Sequence, residues 1–264
     1  MKKVMLICIW IAIVPFSLFS CKDSDDDSLP PPPESEKRAE WELVFEENFD
    51  GNVINPEIWS IYNSVGHAGN GVRSPEAISI EDGLLVITAQ MKEVQENVDG
   101  VIQTVEKLYS GGMAHKVNYK YGKFEFRVRS DADPSGATSA VVLTWPKSED
   151  WPNGGENDIY ETYAESNPTR DNFQTNILSG LPRNTWQKKI HDIDAKEWHV
   201  VAMEWEEHVM RIYIDGQLKF RLTDPKDFPH ELHHLCIQLD AFSTIMTGST
   251  KMYVDWVKIY QEKK

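Results

Sequence analysis

Cysteine is scarce in this chain of 264 residues, which contains three. Cys8 and Cys21 lie near the N-terminus, and only Cys236 falls in the body of the sequence. One cysteine cannot form an internal disulfide, so the body must be stabilised by its core. Hydrophobic residues make up 41% of the chain, with 9 Trp, 9 Tyr and 10 Phe, which is enough for a sizeable core. Cys236, in "HLCIQLDAF", is predicted to be a small buried residue and not a nucleophile.

Basic residues are also few, at 27 Lys and Arg against 42 Asp and Glu, for a net charge of −15. Phosphate binding requires clustered Lys and Arg, so this balance argues against a nucleic-acid partner. It also disfavours an anionic membrane surface and heavily sulfated substrates.

A long apolar run occurs only at the start, where Lys2 and Lys3 precede residues 4–19, followed by Ser20 and Cys21. This order of basic, apolar and small residues predicts a secretory signal over residues 1–20. The run is shorter than the ~20 residues of a membrane-spanning helix and contains Pro15, so a retained anchor is the less favoured alternative.

The end of that run, "LFSC", resembles the lipobox of bacterial lipoproteins, in which the cysteine, here Cys21, becomes the lipidated first residue. The following "KDSDDDS" resembles acidic tags of lipoproteins exported to the cell surface, and "LPPPPESEKRAE" is an extended, Pro-rich spacer. We therefore expect residues 21–40 to be a lipidated linker on the outer membrane or cell surface. An unlipidated chain would be periplasmic or secreted, and an ordinary disordered terminus is the alternative reading of the spacer.

Amphipathic helix patterns and internal repeats are absent from the body, which instead alternates like β-strands. "GKFEFRVRS" alternates apolar and charged residues, and Asp82-Gly83 and Asp215-Gly216 are strong hairpin signals between alternating runs. Many short antiparallel strands predict an all-β sandwich, jelly roll or barrel. No linker interrupts the body, so residues 41–264 are predicted to form one domain.

Three carboxylates, Glu156, Asp158 and Glu161, lie close together in "GENDIYET". In a strand, Glu156 and Asp158 point to one face and Glu161 to the other. A β-bulge of one extra residue between Asp158 and Glu161 would return Glu161 to the first face. Two Glu side chains leaning over a shorter Asp could then approach the ~5–5.5 Å carboxyl separation of a retaining glycosidase. Carboxyl groups this close acquire different pKa values, because they cannot all be ionised at low cost. One can then remain anionic and act as a nucleophile while another stays protonated and acts as an acid.

The surrounding segment, "WPNGGENDIYE", resembles the bulged catalytic motif of glycoside hydrolase family sixteen, shared by laminarinases and agarases. The segments "WELVFEENFDG", "RSPEAISIEDGLLVITA", "YGKFEFRVR", "WHVVAMEWEEHVMRIYIDGQ" and "MYVDWVKIYQ" resemble that family in the same order. The resemblance implies a β-jelly roll, a concanavalin A-like sandwich of two antiparallel sheets with a concave cleft. It also implies retaining cleavage of β-linked glucans or galactans.

Carried onto this chain, the family's roles make Glu156 the nucleophile and Glu161 the general acid and then base. Asp158 would tune both. Asn157 stands where the family usually has an apolar residue, and we expect it to be hydrogen-bonded because an unpaired buried amide costs about 1–3 kcal/mol.

Aromatic and amide side chains are expected to line the cleft, because sugars present apolar ring faces and hydroxyl groups. Trp59 and Trp205 are assigned to the core instead. The candidate substrate-binding residues are Trp145, Trp151, Trp186, Gln174, Asn176, Gln238 and Arg73.

Metal sites are weakly indicated. His230, His233 and His234 in "PHELHH" lack a fourth ligand at suitable spacing, which argues against zinc. The resemblance implies one structural calcium, with Asp255 and the backbone oxygen of Gly83 at the matching positions. No cofactor is expected for catalysis.

Taken together, these features predict a monomeric, exported endo-glycosidase acting on a β-linked polysaccharide by double displacement. β-1,3-Glucan or mixed-linkage glucan is the first candidate substrate and a galactan the second. Two alternatives remain open: a noncatalytic surface glycan-binding protein, and a transglycosylase that uses the same residues.

Overall fold

The computed structural model describes residues 39–264 together with Leu29. The predicted signal, Cys21 and nearly all of the predicted linker lie outside these residues. Three single turns of 3₁₀ helix, His67–Gly69, Pro75–Ala77 and Pro225–Asp227, are the helical elements of the described chain. No helix in this part of the chain has the length and apolar character needed to cross a membrane.

Strands make up the rest of the regular structure. They are β1 (Trp41–Glu47), β2 (Trp59–Ile61), β3 (Ser64–Val65), β4 (Val72–Arg73), β5 (Ile78–Glu81), β6 (Leu84–Val98), β7 (Val101–His115), β8 (Gly122–Ser130), β9 (Thr138–Pro146), β10 (Glu156–Glu161), β11 (Phe173–Leu178), β12 (Trp186–His191), β13 (His199–Trp205), β14 (Met210–Ile214), β15 (Gln217–Leu222), β16 (His233–Ala241) and β17 (Ser249–Glu262).

The strands form a β-jelly roll of two antiparallel sheets, which confirms the predicted fold class. The groove sheet has the order β2-β7-β16-β9-β10-β11-β12. The back sheet has the order β5-β6-β17-β8-β13-β14-β15, with β1 beside the second half of β17. The β6–β7 hairpin joins the two sheets, because β6 pairs with β17 and β7 pairs with β16.

The main core fills the space between the sheets. In β8, Phe124, Phe126 and Val128 are fully buried while the charged residues between them are partly exposed, as the alternation in the sequence predicts. Trp59 and Trp205 are buried to 1% and 0% exposure, which confirms their assignment to the core. Each such side chain contributes about 1.5–3 kcal/mol of hydrophobic free energy.

Both predicted Asp-Gly turns are present. Asp82 and Gly83 have φ of 52° and 76° between β5 and β6, and Asp215 and Gly216 have 51° and 79° between β14 and β15. These positive values are the geometry of a two-residue hairpin turn, which Asp and Gly tolerate. A third Asp-Gly turn at residues 99–100 joins β6 and β7, two strands of 15 residues each. The sequence analysis predicted only the start of β6, after the Asp82-Gly83 turn, and missed the rest of this hairpin.

Candidate active site

The three carboxylates of β10 point into one groove because the strand contains a β-bulge. Asp158 pairs with Leu143 of β9 and Tyr160 with the adjacent Val142, so Ile159 is the extra residue. The pairing with β11 shows the same shift, between Asp158 and Glu161. The predicted bulge is therefore present, and Glu161 lines the same cavity as Glu156 and Asp158, with a volume of about 290 Å³.

The bulge is held from the core side by a threonine. The Thr175 hydroxyl of β11 donates a 3.0 Å hydrogen bond to the carbonyl oxygen of Ile159. The same oxygen of Thr175 lies 3.0 Å from Nε2 of His191 on β12. A bulged residue loses its regular ladder partner, so this hydroxyl satisfies a buried carbonyl that would otherwise be costly.

Each glutamate accepts hydrogen bonds from neighbouring side chains. The indole Nε1 of Trp151 donates to Glu156 Oε2 at 2.8 Å. Asn176 Nδ2 donates to Glu161 Oε2 at 2.5 Å, and Gln174 Nε2 donates to the same oxygen at 3.3 Å. These donors fix the two carboxyl groups and favour their ionised forms.

The carboxyl groups differ in proton affinity. Burial raises the pKa of Glu161 to about 7, against the lowering effect of hydrogen bonds from Gln174 and Asn176 and with repulsion from Glu156. Burial and the charges of Glu156 and Glu161 hold the pKa of Asp158 well above its usual range. Burial also raises the pKa of Glu156, but hydrogen bonds from Trp151 and Asp158 oppose that shift. The hydrogen bond from Asp158 thus favours the ionised form of Glu156, against the effect of burial.

The other predicted cleft residues lie around the same groove. Trp151 and Trp186, about half and two-fifths exposed, line the cavity of the carboxylates. Trp145 and Arg73 line an adjoining cavity of about 540 Å³, and Gln238 lines both. Arg73 forms a bidentate ion pair with Asp240 and its guanidinium lies 5.3 Å from the ring centre of Tyr62. The groove thus runs across the sheet, from edge strand β12 to edge strand β2.

The sequence analysis missed an aromatic wall on the Glu161 side of the groove. His67 and Phe242 stack with ring centres 4.4 Å apart, and Tyr163 lies 6.2 Å from Phe242. All three line the carboxylate cavity together with Lys188 of β12. His67, Tyr163 and Phe242 lie outside the strands, so no strand alternation marks them. Their meeting depends on loops far apart in the chain.

Gly112 of β7 sets the depth of the groove floor in the larger cavity. A Cβ atom at this position would lie 2.7 Å from both the Tyr62 ring and the Cβ of Gln238. Real side-chain atoms cannot approach that closely, so Tyr62 lies against the sheet only because residue 112 has no side chain.

Asn157, on the core side of β10, is fully buried, and its Nδ2 donates to the Thr144 hydroxyl at 2.8 Å. Its Oδ1 has no hydrogen-bond partner. The expected hydrogen bonding is thus present for one of the two polar atoms of the amide.

No group of three or more His, Cys, Asp or Glu residues in the described chain could hold a metal ion. The three histidines of "PHELHH" contact different partners: His230 contacts Tyr121, His233 contacts Thr144, and His234 contacts Asn118. Cys236 is buried, and burial raises its thiol pKa to about 12, as expected for an unreactive residue.

The residues at the expected calcium position do not fit a calcium ion well. Calcium takes six to eight oxygen ligands. Asp255 instead forms a 2.5 Å ion pair with Arg127, whose guanidinium stacks on Trp198 with 4.4 Å to the ring centre. Arg127 already supplies the positive charge that balances Asp255. A calcium ion held by Asp255 and the oxygen of Gly83 stays a prediction that this pairing disfavours.

Comparison with known proteins agrees with the class of enzyme that this fold and these carboxylates define, a glycoside hydrolase. The family model of glycosyl hydrolases family 16 matches residues 82–258. The chain is 30% identical to a beta-glucanase of Rhodothermus marinus, over 86% of this chain and 87% of that protein. It therefore belongs to glycosyl hydrolase family 16.

Two further similarities are more distant. An endo-1,3-1,4-beta-glycanase, ExoK, of Rhizobium meliloti is 24% identical over 83% of this chain and 74% of its own. The catalytic domain of an endo-1,3-beta-glucanase (laminarinase) from Thermotoga petrophila superposes with a TM-score of 0.69 at 22% identity, covering 86% of this chain and all of that domain. The latter supports the jelly-roll fold.

Proposed function

We propose that the protein is a retaining endo-β-glucanase in which Glu156 is the nucleophile and Glu161 the acid and base. The observation that carries this proposal is the pairing of a partly exposed glutamate, Glu156, with a buried glutamate, Glu161, whose pKa is raised to about 7. Both point into one groove from a single bulged strand. A noncatalytic groove has no use for two such carboxyl groups in different protonation states.

The reaction proceeds in two displacements. A carboxylate oxygen of Glu156 attacks the anomeric carbon, the glycosidic C–O bond breaks, and Glu161 protonates the departing oxygen. A water molecule, deprotonated by Glu161, then attacks the same carbon and releases Glu156. Asp158 carries its proton toward Glu156 and keeps that oxygen anionic between turnovers. This mechanism requires a carboxyl separation of about 5–5.5 Å, which stays a prediction.

A β-glucan is the substrate we favour, either β-1,3-linked or mixed-linkage, because the relative that is 30% identical over 86% of this chain is named a beta-glucanase. A galactan is the second candidate. A groove that crosses the sheet between its two edge strands accommodates the middle of a polymer and needs no chain end. Trp145, Trp151 and Trp186 supply the aromatic faces on which sugar rings stack.

The proposal is tested by incubating the purified protein with a panel of β-1,3-, mixed-linkage and galactan polysaccharides and sizing the products. We expect internal cleavage to a ladder of oligosaccharides with the anomeric configuration retained. Glu156→Gln and Glu161→Gln should each abolish turnover and retain polysaccharide binding. Glu125→Gln on the back sheet makes the same chemical change away from the groove and should leave turnover intact. Binding without cleavage by the unaltered protein would favour a noncatalytic glycan-binding protein.

A transglycosylase would form the same intermediate on Glu156 but pass the sugar to another sugar and not to water. Adding an acceptor oligosaccharide to the reaction separates the two: a hydrolase yields mainly shortened products, and a transglycosylase yields extended ones. We also propose export, with lipidation at Cys21, on the grounds of the N-terminal pattern alone. Labelling with a fatty-acid analogue should be lost in Cys21→Ser.

A further inference from the structure

A chain of buried polar groups lies behind the catalytic strand, on the side opposite the groove. Asn157 Nδ2 donates to the Thr144 hydroxyl at 2.8 Å, and that oxygen lies 3.1 Å from Nδ1 of His233. Nε2 of His233 lies 3.1 Å from the carbonyl oxygen of Gly154. Asn157, Thr144 and His233 are all fully buried. We name this chain the polar relay.

The protons of the relay can be assigned from the acceptors. Each ring nitrogen of His233 lies 3.1 Å from a carbonyl oxygen, Nε2 from that of Gly154 and Nδ1 from that of Thr144, so a neutral ring can donate to only one of them. The Thr144 hydroxyl favours the proton on Nε2, because its own proton then has Nδ1 as an acceptor. Nδ1 is then bare and accepts the Thr144 hydroxyl proton, which leaves the Thr144 oxygen free to accept from Asn157. The opposite tautomer would donate from Nδ1 to the Thr144 carbonyl and face Gly154 with a lone pair, so it exchanges one carbonyl contact for the other and also removes Nδ1 as an acceptor for the Thr144 hydroxyl. Burial lowers the pKa of His233 to about 4, so the ring is neutral near pH 7.

Each end of the relay lies next to Glu156. Asn157 follows it on β10, and Gly154 belongs to the loop of residues 151–155 that precedes it. The same loop carries Trp151, whose indole donates to the Glu156 carboxylate at 2.8 Å. A shift of the loop away from the sheet would therefore move the partner of Glu156.

The loop has little freedom to settle elsewhere. Gly155 has φ of 79°, and a Cβ atom there would lie 2.6 Å from the Leu178 carbonyl oxygen. A Cβ on Gly154 would lie 2.6 Å from the Cβ of Pro146. The backbone is thus packed against the sheet, and the His233–Gly154 hydrogen bond lies at that contact.

We propose that Asn157, Thr144 and His233 are positioning residues that hold the 151–155 loop, and through Trp151 the carboxylate of Glu156, in place for attack. This inference rests on the proposed function of Glu156. An apolar trio would fill the same space without burying polar atoms, whereas the relay leaves Asn157 Oδ1 unpaired at a cost to stability. The unpaired amide oxygen lowers stability at the residue next to Glu156, which is consistent with a role in positioning that glutamate.

Two substitutions of His233 test the proposal. His233→Gln can place an amide N–H where Nε2 lies, whereas the shorter His233→Asn cannot reach Gly154. We expect His233→Asn to lower kcat about tenfold with KM little changed, because misplacement by about 1 Å costs up to about 100-fold in rate. His233→Gln should stay within about twofold of the unaltered enzyme. Asn157→Leu, which conserves volume, should resemble His233→Asn.

The pH profile distinguishes positioning from loss of stability. The Trp151 hydrogen bond lowers the pKa of Glu156, so displacement of Trp151 should move the acidic limb of kcat/KM to higher pH in His233→Asn. Thr250→Val is the control, because it removes buried 3.1 Å hydrogen bonds to the carbonyl oxygens of Asp131 and Ala132 without touching the loop or β10. It should lower Tm and leave kcat and the acidic limb unchanged. An unchanged kcat and acidic limb in His233→Asn and Asn157→Leu would overturn the relay.

A measurement independent of activity separates this proposal from the proposed function. NMR of protein labelled with ¹⁵N-histidine should show His233 as the neutral Nε2–H tautomer at pH 7. The Nδ1–H tautomer or an imidazolium ion would overturn the relay even in an active enzyme. An unaltered protein that cleaves no polysaccharide but shows the Nε2–H tautomer would instead count against the proposed function alone.

Discussion

The hydroxyl of Thr175 donates a 3.0 Å hydrogen bond to the carbonyl oxygen of Ile159, the extra residue of the β10 bulge. Thr175→Val keeps the shape of the side chain and removes this donor. We expect it to lower stability by about 1–3 kcal/mol, the cost of an unsatisfied buried carbonyl. Because Glu161 follows the bulge, kcat should also fall about tenfold.

Thr250→Val is the matched control for that change. Thr250 is also a buried threonine whose hydroxyl donates to carbonyl oxygens, those of Asp131 and Ala132, but it lies on the back sheet. Denaturation and steady-state kinetics should show a similar loss of stability with kcat preserved. Equal losses of kcat in both variants would contradict a specific role for Thr175.

Glu161→Gln should make the protein more stable at pH 8 than the unaltered protein. The pKa of Glu161 is about 7 in the folded chain against 4.5 as its ordinary value, so the folded state binds the extra proton between these pH values. Stability is therefore lost as pH rises from about 4.5 to about 7 and stays reduced above that. The gain at pH 8 should be about 2–3 kcal/mol and should vanish near pH 4. Thermal melts at both pH values measure it, and an equal gain at pH 4 would contradict the cause.

Asn176→Leu should extend activity to higher pH. The amide of Asn176 favours the ionised form of Glu161, so its removal raises the Glu161 pKa, and the acid stays protonated further into the alkaline range. The alkaline limb of kcat/KM reports this shift. Gln174→Leu removes the second amide donor to the same oxygen, at 3.3 Å, and should move the limb in the same direction. A limb that moves to lower pH would refute the assignment of Glu161 as the acid.

Trp186→Ala should weaken polysaccharide binding. The indole is exposed on edge strand β12 and lines the cavity of the carboxylates without contacting them through a hydrogen bond. Loss of a stacking face costs about 1–2 kcal/mol, so KM should rise about tenfold with kcat little changed. Trp198→Ala, which removes an indole stacked on Arg127 away from the groove, should leave KM as it was. A fall in kcat without a change in KM would contradict a binding role for Trp186.

The sequence predicted much of this architecture where a local rule applies. Alternation identified β8, and the Asp-Gly pairs at 82–83 and 215–216 identified two hairpins. The outer part of the β6–β7 hairpin was missed because Lys, Glu, Gln and Asn occupy both of its faces, so its alternation is weak. The β10 bulge was predicted from the spacing of three acids, since only an extra residue puts all of them on one face.

Contacts between distant segments were beyond local rules. His67 and Phe242 stack across loops separated by most of the domain, and the register that places them depends on the pairing of β16 with β7 and β9. Of the polar relay, the sequence analysis identified only Asn157, as a polar residue at a position where the family usually has an apolar one. Its partners Thr144 and His233 come from two other strands.

Because Gly112 has no side chain, Tyr62 and Gln238 lie closer to β7 than they could beside any other amino acid. An alanine there would displace Tyr62 or Gln238 into the groove. A bound polysaccharide would then lie further from Glu156 and Glu161. A change of a single carbon atom in β7, a strand that carries none of the three carboxylates, would therefore change the height of the groove floor.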